Sequence, residues 1–451
     1  MKTKLKLLLL LLSVSGTVWF TGREVEGFSY FNYAGIDLVW PDHRSDRYLA
    51  PSTFPPGSDI SDQMLEAMTL WSIVPGSNFD YYYAHMAEDP VVDHQDGYND
   101  TLAVPAETLD PGVLAVTYMV FHTGLAVWYD MDTEFSDYPA EIGWNLEWNP
   151  PCWTVSDPAT YGVTFLLVAT HEMGHALGLG DDPSGSEPPG TPWFIATMNP
   201  AYPAGGPVGD NNIIEVHTDD RSGLRYLYPG SDSLTDLANS GYCSAGPIIG
   251  MAVPAFIDPS TCYPGDQPQA WSVLENFGTT DQTNVGQTFY LSQDETIDAG
   301  DLLLGELRWD LVADDAIEFQ VQFDVPDLAP GLYFLGSKLD ELNEVVEEYE
   351  DNNDVLYCDP LTVAQLAPEI SPMSQQVVGC DEPFVGPAPQ VSYPINMAPI
   401  TWSLDNPQPG MTMDPVTGVI TWPEPIPASF QYELDIRATN AAGSDVETLH
   451  L

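Results

Sequence analysis

Apolar and polar positions follow two different rhythms along this chain. From about residue 28 to 230, helix-type and strand-type patterns are mixed. Residues 61–74 place Met64, Leu65, Met68 and Trp71 on one helical face, with Ser61 as the expected N-cap. Residues 102–104, 113–120 and 125–129 are strand-like runs separated by Asp, Gly and Pro turns. Residues 159–179 are apolar almost throughout and predict a second, largely buried helix, followed by a Pro/Gly/Asp/Ser loop to about residue 192. Residues 219–228 predict a short closing helix, with Thr218 or Asp219 as cap and Pro229-Gly230 as stop.

After residue 230 the pattern changes. Residues 231–260 predict a linker. Short strand-like runs then recur at 288–291, 318–325 and 332–339, and again beyond residue 366, where a turn at 414–418 feeds Val419-Ile420-Thr421-Trp422. Evenly spaced strands and turns predict β-sandwiches at 261–365 and 366–451. A length of 451 residues is consistent with about three domains.

Charge changes the picture next. The chain carries 67 Asp plus Glu against 11 Lys plus Arg, a net charge of −56. Such a surface repels phosphate, so nucleic acid and anionic membranes are excluded as partners. Three lysines, Lys2, Lys4 and Lys6, precede an apolar run that ends near Phe20. This is the pattern of a signal peptide over residues 1–20, with an uncleaved anchor as the alternative, and it predicts a secreted protein with no membrane span after its removal. Export permits disulfides among Cys152, Cys243, Cys262, Cys358 and Cys380. Neighbour order suggests Cys243–Cys262 and Cys358–Cys380.

The candidate chemistry lies in the second predicted helix. His171 and His175 are four residues apart and share a helical face, so both imidazoles can reach one metal ion. Glu172 is adjacent and suited to meet a water rather than the metal. Zinc on this pair would acidify that water and polarise a scissile carbonyl, while the carboxylate moves the proton to the leaving amine. Gly178 can turn the chain three residues after His175, so that Asp181 can return to the metal as an oxygen ligand. Asp182 is the nearest rival, and an uninvolved capping role for Asp181 is the alternative.

The extended run His171-Glu172-Met173-Gly174-His175-Ala176-Leu177-Gly178-Leu179-Gly180-Asp181 resembles the metzincin zinc peptidases, and within them the matrixin-like, bacterial-type members. Most of the family carries histidine where this chain has Asp181. Thr197-Met198-Asn199-Pro200 resembles the family's Met-turn, with Met198 beneath the metal. Pro200, Ala201 and Tyr202 resemble the wall of the substrate pocket. The segment 217–228 resembles the family's last helix, and Ala67-Met68-Thr69-Leu70-Trp71 its first.

The resemblance implies an α+β metzincin-like catalytic domain over residues 28–230, with a twisted mixed sheet plus the active-site helix, followed by two all-β Ig-like sandwiches. It implies an endopeptidase with His171, His175 and Asp181 on zinc, Glu172 as general base, sheet strands at 114–118 and 125–130 beside the cleft, and an extended protein or peptide substrate paired to the edge strand. No cysteine precedes Cys152, so latency through a propeptide cysteine is not supported. His85, His94 and His122 are scattered and read as surface or core residues. Ca2+ is a second candidate ion, at Asp93, Asp96, Asn99 and Asp100 around Gly97 or at Asp130 and Asp132; solvated turns are the competing account.

Residues 271–355 resemble adhesion-type Ig-like modules of bacterial surface proteins, through Asn276-Phe277-Gly278, Pro330-Gly331-Leu332-Tyr333 and Glu350-Asp351-Asn352-Asn353; residues 395–449 resemble a further Ig-like repeat. The modules carry no catalytic groups and are expected to bind cell-surface or matrix glycans or proteins. Trp402 and Trp422 are either glycan platforms or core. The competing function is a catalytically inactive surface adhesion protein.

Overall fold

A computed structural model describes residues 23–451 except 26–27, 91–94, 139–142, 149–157, 182–195, 201–206, 209–212, 241–256, 358–359, 380–381 and 429. The expected signal peptide, Asp93, His94, Cys152 and Asp182 lie outside the described residues, as do Ala201 and Tyr202. The chain divides into two units. One comprises residues 1–256, 270–321 and 334–359, the other residues 257–269, 322–333 and 360–451. The expected module at 261–365 is therefore shared between the two.

The first unit is built on a five-stranded sheet. Its strands are β1 (Arg44–Leu49), β2 (Asp80–His85), β3 (Asn99–Val104), β4 (Ala115–His122) and β5 (Val127–Ser136), in spatial order β2-β1-β3-β5-β4. All neighbours are parallel except β4, which pairs antiparallel with β5 at the sheet edge. The sheet is mixed, as expected, although β1 and β2 have no counterpart among the predicted runs. Arg47 on β1 is fully buried and donates to Thr101 Oγ1 at 2.8 Å, to Thr133 Oγ1 at 2.7 Å and to Met131 O. Both terminal nitrogens of the guanidinium are thus matched, which makes a cation inside a sheet tolerable.

Helix α1 (Asp59–Ser72) starts earlier than its apolar face suggests. Ser58, not Ser61, is the N-cap: its side chain accepts from the Ser61 amide, and Ser61 is buried within the first turn. Met64, Met68 and Trp71 are buried on the expected face. The second predicted helix is split. Residues Pro158–Tyr161 form one turn, Val163–Thr164 pair with Trp144–Asn145, and only then does α2 (Phe165–Leu177) begin. Gly162 causes the break. It lies at φ +88, and a Cβ there would sit 2.8 Å from Gly143 O. Helix α3 (Thr218–Leu227) closes the domain. His217 occupies its cap position without a side-chain cap, because the terminal groups of this helix are held from elsewhere in the chain.

The C-terminal region is predominantly β, with several sheets. In the first unit, β6 (Leu237–Ser240) pairs with β7 (Gln269–Asn276), so a strand occupies part of the expected linker. Leu237 and Leu274 share a core with Val285, Leu311 and Leu339. In the second unit a separate core gathers Trp402, Ile420, Trp422, Leu434 and Ile436. Both tryptophans are buried, at 7% and 1% exposure, which assigns them to packing rather than to an open glycan platform. Cys262 is a free, buried thiol whose Sγ lies 3.2 Å from Pro259 O, so the pairing with Cys243 expected from neighbour order is not made. Among the described residues no helix is long and apolar enough to cross a membrane.

Candidate metal centre

Every residue of α2 is buried, so each of its polar groups needs a partner inside the protein. The last four carbonyls of a helix have no partner in the helix itself. Here all four are satisfied. Leu179 N donates to Gly174 O and Gly178 N to His175 O, both at 3.0 Å. Trp40 Nε1 donates to Ala176 O at 2.8 Å, and Tyr228 Oη to Leu177 O at 2.5 Å. Higher up, Trp71 Nε1 donates to Thr170 O and Tyr81 Oη to Met173 O. Gly178 makes the turn at φ +117, a conformation that glycine adopts without a Cβ penalty.

After the turn, the chain is pinned to an N-terminal strand. Leu179 bridges Tyr30, and Gly180 N donates to Ser29 O at 2.8 Å. A Cβ on Gly180 would lie 2.7 Å from Ser29 Oγ, a contact that rotation of the serine hydroxyl relieves. The pinned segment brings Asp181 back over the face of α2. Asp181 Oδ1 lies 3.3 Å from His175 Nε2 and 3.7 Å from His171 Nε2. The donor atoms of the three residues all fall within 4.8 Å of one another.

The second nitrogen of each imidazole decides its orientation. His171 Nδ1 lies 2.9 Å from Thr197 O, and His175 Nδ1 lies 3.0 Å from Leu179 O. A carbonyl only accepts, so each Nδ1 carries the proton and each Nε2 presents a lone pair to the same space. His175 Nε2 and Asp181 Oδ1 are buried yet make no hydrogen bond of acceptable geometry. Two orphaned, buried ligand atoms this close are what a cation would satisfy. Four ligands around zinc at about 2.1 Å stand about 3.4 Å apart in a tetrahedron, close to the two separations seen here.

Burial and the neighbouring His175 push His171 down to about 4, so that imidazole is neutral. Burial also opposes a charge on His175, but the Asp181 carboxylate outweighs it and raises that group to about 9. A cation held by Asp181 and the two Nε2 atoms would require both imidazoles to be neutral.

Glu172 is anchored to the neighbouring sheet strand. Its Oε2 accepts from Thr117 Oγ1 on β4 at 2.6 Å. Thr117 Oγ1 in turn lies 3.1 Å from Thr133 Oγ1, which accepts from Arg47. Burial raises the Glu172 carboxyl above the ordinary glutamate value, against the opposing influence of His175, Thr117 and Arg47. Thr117 and Arg47 escaped the sequence reading. Their only signal was polarity at inward positions of strand-like segments, which has no local signature.

Met198 is 1% exposed and packs under the helix. A Cβ added to Gly174 would lie 2.1 Å from Met198 Sδ, so the methionine sits directly beneath the turn that carries both histidines. Asp220 Oδ2 receives the amides of Thr197 and Met198 at 2.5 and 3.3 Å and holds this turn against α3. Of the expected pocket wall, Pro200 is half-buried.

The candidate calcium residues divide between an exposed turn and buried strands. Asn99, Asp100, Asp130 and Asp132 are buried, while Asp96 is exposed. Asp130 Oδ2 accepts from Gly97 N and Asp132 Oδ1 from Asp100 N, and burial with the nearby Asp132 raises Asp130 to about 7. Among the described residues, the His171, His175 and Asp181 trio is the group of such side chains that converges closely enough to hold an ion. His122 is exposed, and His85 lies 3.5 Å from Ser61 Oγ.

Residues 52–229 match the family model of the matrixins. Human Matrix metalloproteinase-25 is 29% identical over 188 residues, which are 39% of this chain and 27% of that protein. Mouse Matrix metalloproteinase-25 is 41% identical over 76 residues, 17% of this chain and 11% of that protein. The chain thus spans about a quarter or less of the length of the curated relatives it matches. Among solved structures, a CARDB domain from Pyrococcus furiosus is similar at 15% identity, covering 30% of this chain and 97% of that one, with a TM-score of 0.21. The segment 52–229 is thus similar to the matrixins.

Proposed function

We propose, from the matrixin-like domain, that this chain is a secreted zinc-dependent endopeptidase in which His171, His175 and Asp181 hold the metal and Glu172 is the general base. The observation that carries the reading is the pair of orphaned ligand atoms, His175 Nε2 and Asp181 Oδ1, converging with His171 Nε2 in a buried site. Zinc bound there supplies Lewis acidity toward a scissile carbonyl and its attacking water. The protein's own residues do the rest. Thr197 O and Leu179 O keep both Nδ1 atoms protonated and both Nε2 atoms available. Thr117 holds Glu172 Oε2, which leaves Oε1 to take a proton and pass it to the leaving amine. The edge strand β4 can receive an extended peptide through its unpaired side, which suits cleavage within a chain rather than at its end.

Export rests on the basic and apolar N-terminal segment, and the substrate is a protein or peptide. The acidic surface keeps nucleic acid away. The domains are proposed as a peptidase domain at 28–230 followed by β modules that bind matrix or surface components.

Zinc-loaded protein should cleave an unstructured polypeptide at internal bonds, and a strong chelator should abolish cleavage, with activity returning on zinc addition. Cleavage that survives complete metal removal would sink the proposal. Folded protein that takes up zinc without cleaving any member of a peptide library would favour the inactive adhesion protein instead.

Asp181→Ala tests the ligand set separately. Loss of one of three protein ligands should weaken zinc binding by at least about 10²-fold, read by competition with a chromogenic chelator. Retention of wild-type affinity would remove Asp181 from the set.

A further inference from the structure

The carboxylate of Glu275, on β7 in the C-terminal β region, is fully buried beside the peptidase-like domain. Its Oε1 lies 2.6 Å from His217 Nδ1 and 2.5 Å from Ser240 Oγ. Its Oε2 receives Thr218 N at 2.9 Å and Thr218 Oγ1 at 3.0 Å. Burial alone would raise this acid, but His217, the Ser240 hydroxyl and the Thr218 amide outweigh burial and lower it, so it is ionised. A carboxylate accepts only, so His217 Nδ1 is the donor. The charge also sits at the N-terminus of α3, where the helix dipole favours an anion. Glu275 therefore supplies from far along the chain the cap that α3 lacks locally.

The contacts continue inward. His217 N donates to Thr197 Oγ1 at 3.0 Å, and Thr197 O is the acceptor for His171 Nδ1. Only two residues, His217 and Thr197, separate Glu275 from a proposed metal ligand. We propose that Glu275 is a positioning residue for the metal centre, acting through His217 and Thr197 on the imidazole of His171, so that the β region completes the peptidase rather than merely tethering it. This rests on the reading of His171 as a zinc ligand. Outer groups that orient a metal-bound imidazole influence metal affinity because they fix its tautomer and ring plane.

The surrounding contacts keep the path stiff. Val273 on β7 packs against Ala196, at the start of the Met-turn. Arg221 stacks its guanidinium 4.0 Å over the Phe277 ring. Arg225 donates to Phe277 O at 2.9 Å and to Pro75 O at 2.6 Å, and pairs with Asp314. A purely structural role for Glu275 would predict lost stability and an unchanged metal centre.

The test uses the full chain loaded with zinc, and follows zinc transfer to a fluorescent chelator together with thermal unfolding. Glu275→Ala should release zinc about 10-fold faster than wild type. Glu275→Gln, which keeps an acceptor for Thr218, should fall between the two and serves if the alanine variant does not fold. Arg225→Met is the control: it loosens the same contact surface without touching His217 or Thr218, and it should release zinc at the wild-type rate despite a lower melting temperature. Wild-type release from the folded glutamine and alanine variants overturns the inference, as does equal acceleration in Arg225→Met. Wild-type protein that binds no zinc overturns the metal-site reading on which the inference rests, and identifies that failure separately.

Discussion

Glu172→Gln should lower kcat/KM for peptide cleavage by roughly 10³-fold while leaving zinc content at the wild-type level. General base catalysis contributes about 10²–10⁴-fold, so a variant without a base should fall within that range. A 10³-fold loss corresponds to about 4 kcal/mol of transition-state stabilisation. Glutamine preserves the shape of the side chain and an oxygen that can accept from Thr117 Oγ1, now 2.6 Å from Glu172 Oε2. The buried site is therefore expected to keep its packing and lose only its proton acceptor. The measurements are initial rates on a quenched peptide and metal analysis of the same sample. Full activity in the variant would remove Glu172 from the mechanism, and loss of zinc would assign it to the metal site instead.

Gly174→Ala should destabilise the peptidase domain by about 3 kcal/mol, the upper part of the usual range for overpacking. The added Cβ would meet Met198 Sδ at 2.1 Å and Trp71 Cζ2 at 2.8 Å. Met198 is 1% exposed and has no open space to swing into, and the Trp71 ring is held by its hydrogen bond to Thr170 O. Relief must then come from displacement of the Met-turn, whose Thr197 carbonyl orients His171. The variant is thus expected to lose zinc affinity as well as stability. Combining it with Met198→Ala should cost less than the sum of the two single changes, because the second removes the partner of the worst clash. Denaturant unfolding of the single and double variants checks this. Strictly additive losses would show that Met198 is not the obstacle.

The same residues show how far a linear reading reaches. A helix face repeats every three to four residues, so the pairing of His171 with His175, the face of α1 and the closing helix were legible from short windows of sequence. Glycine marks the turn at Gly178, where φ is +117 and a Cβ is disfavoured. The start of α2 was misplaced because the obstacle at Gly162 is the carbonyl of Gly143, which only pairing of Val163 with Trp144 brings near. Strands β1 and β2 were missed because their partners, not their own periodicity, define them.

By itself, the sequence determined the identity and spacing of the chemistry: two imidazoles on one helical face, an adjacent carboxylate, a glycine turn and an aspartate within reach of it. Tertiary structure alone decided what those groups meet. Ser29 and Tyr30 pin the turn that returns Asp181, Thr117 on an edge strand holds Glu172, and Glu275, 57 residues beyond Thr218, caps α3. The physical reason is range. Helical periodicity is set by neighbours along the chain, whereas a buried hydrogen bond needs only one donor and one acceptor in space, and neither carries a mark in the sequence that names its partner.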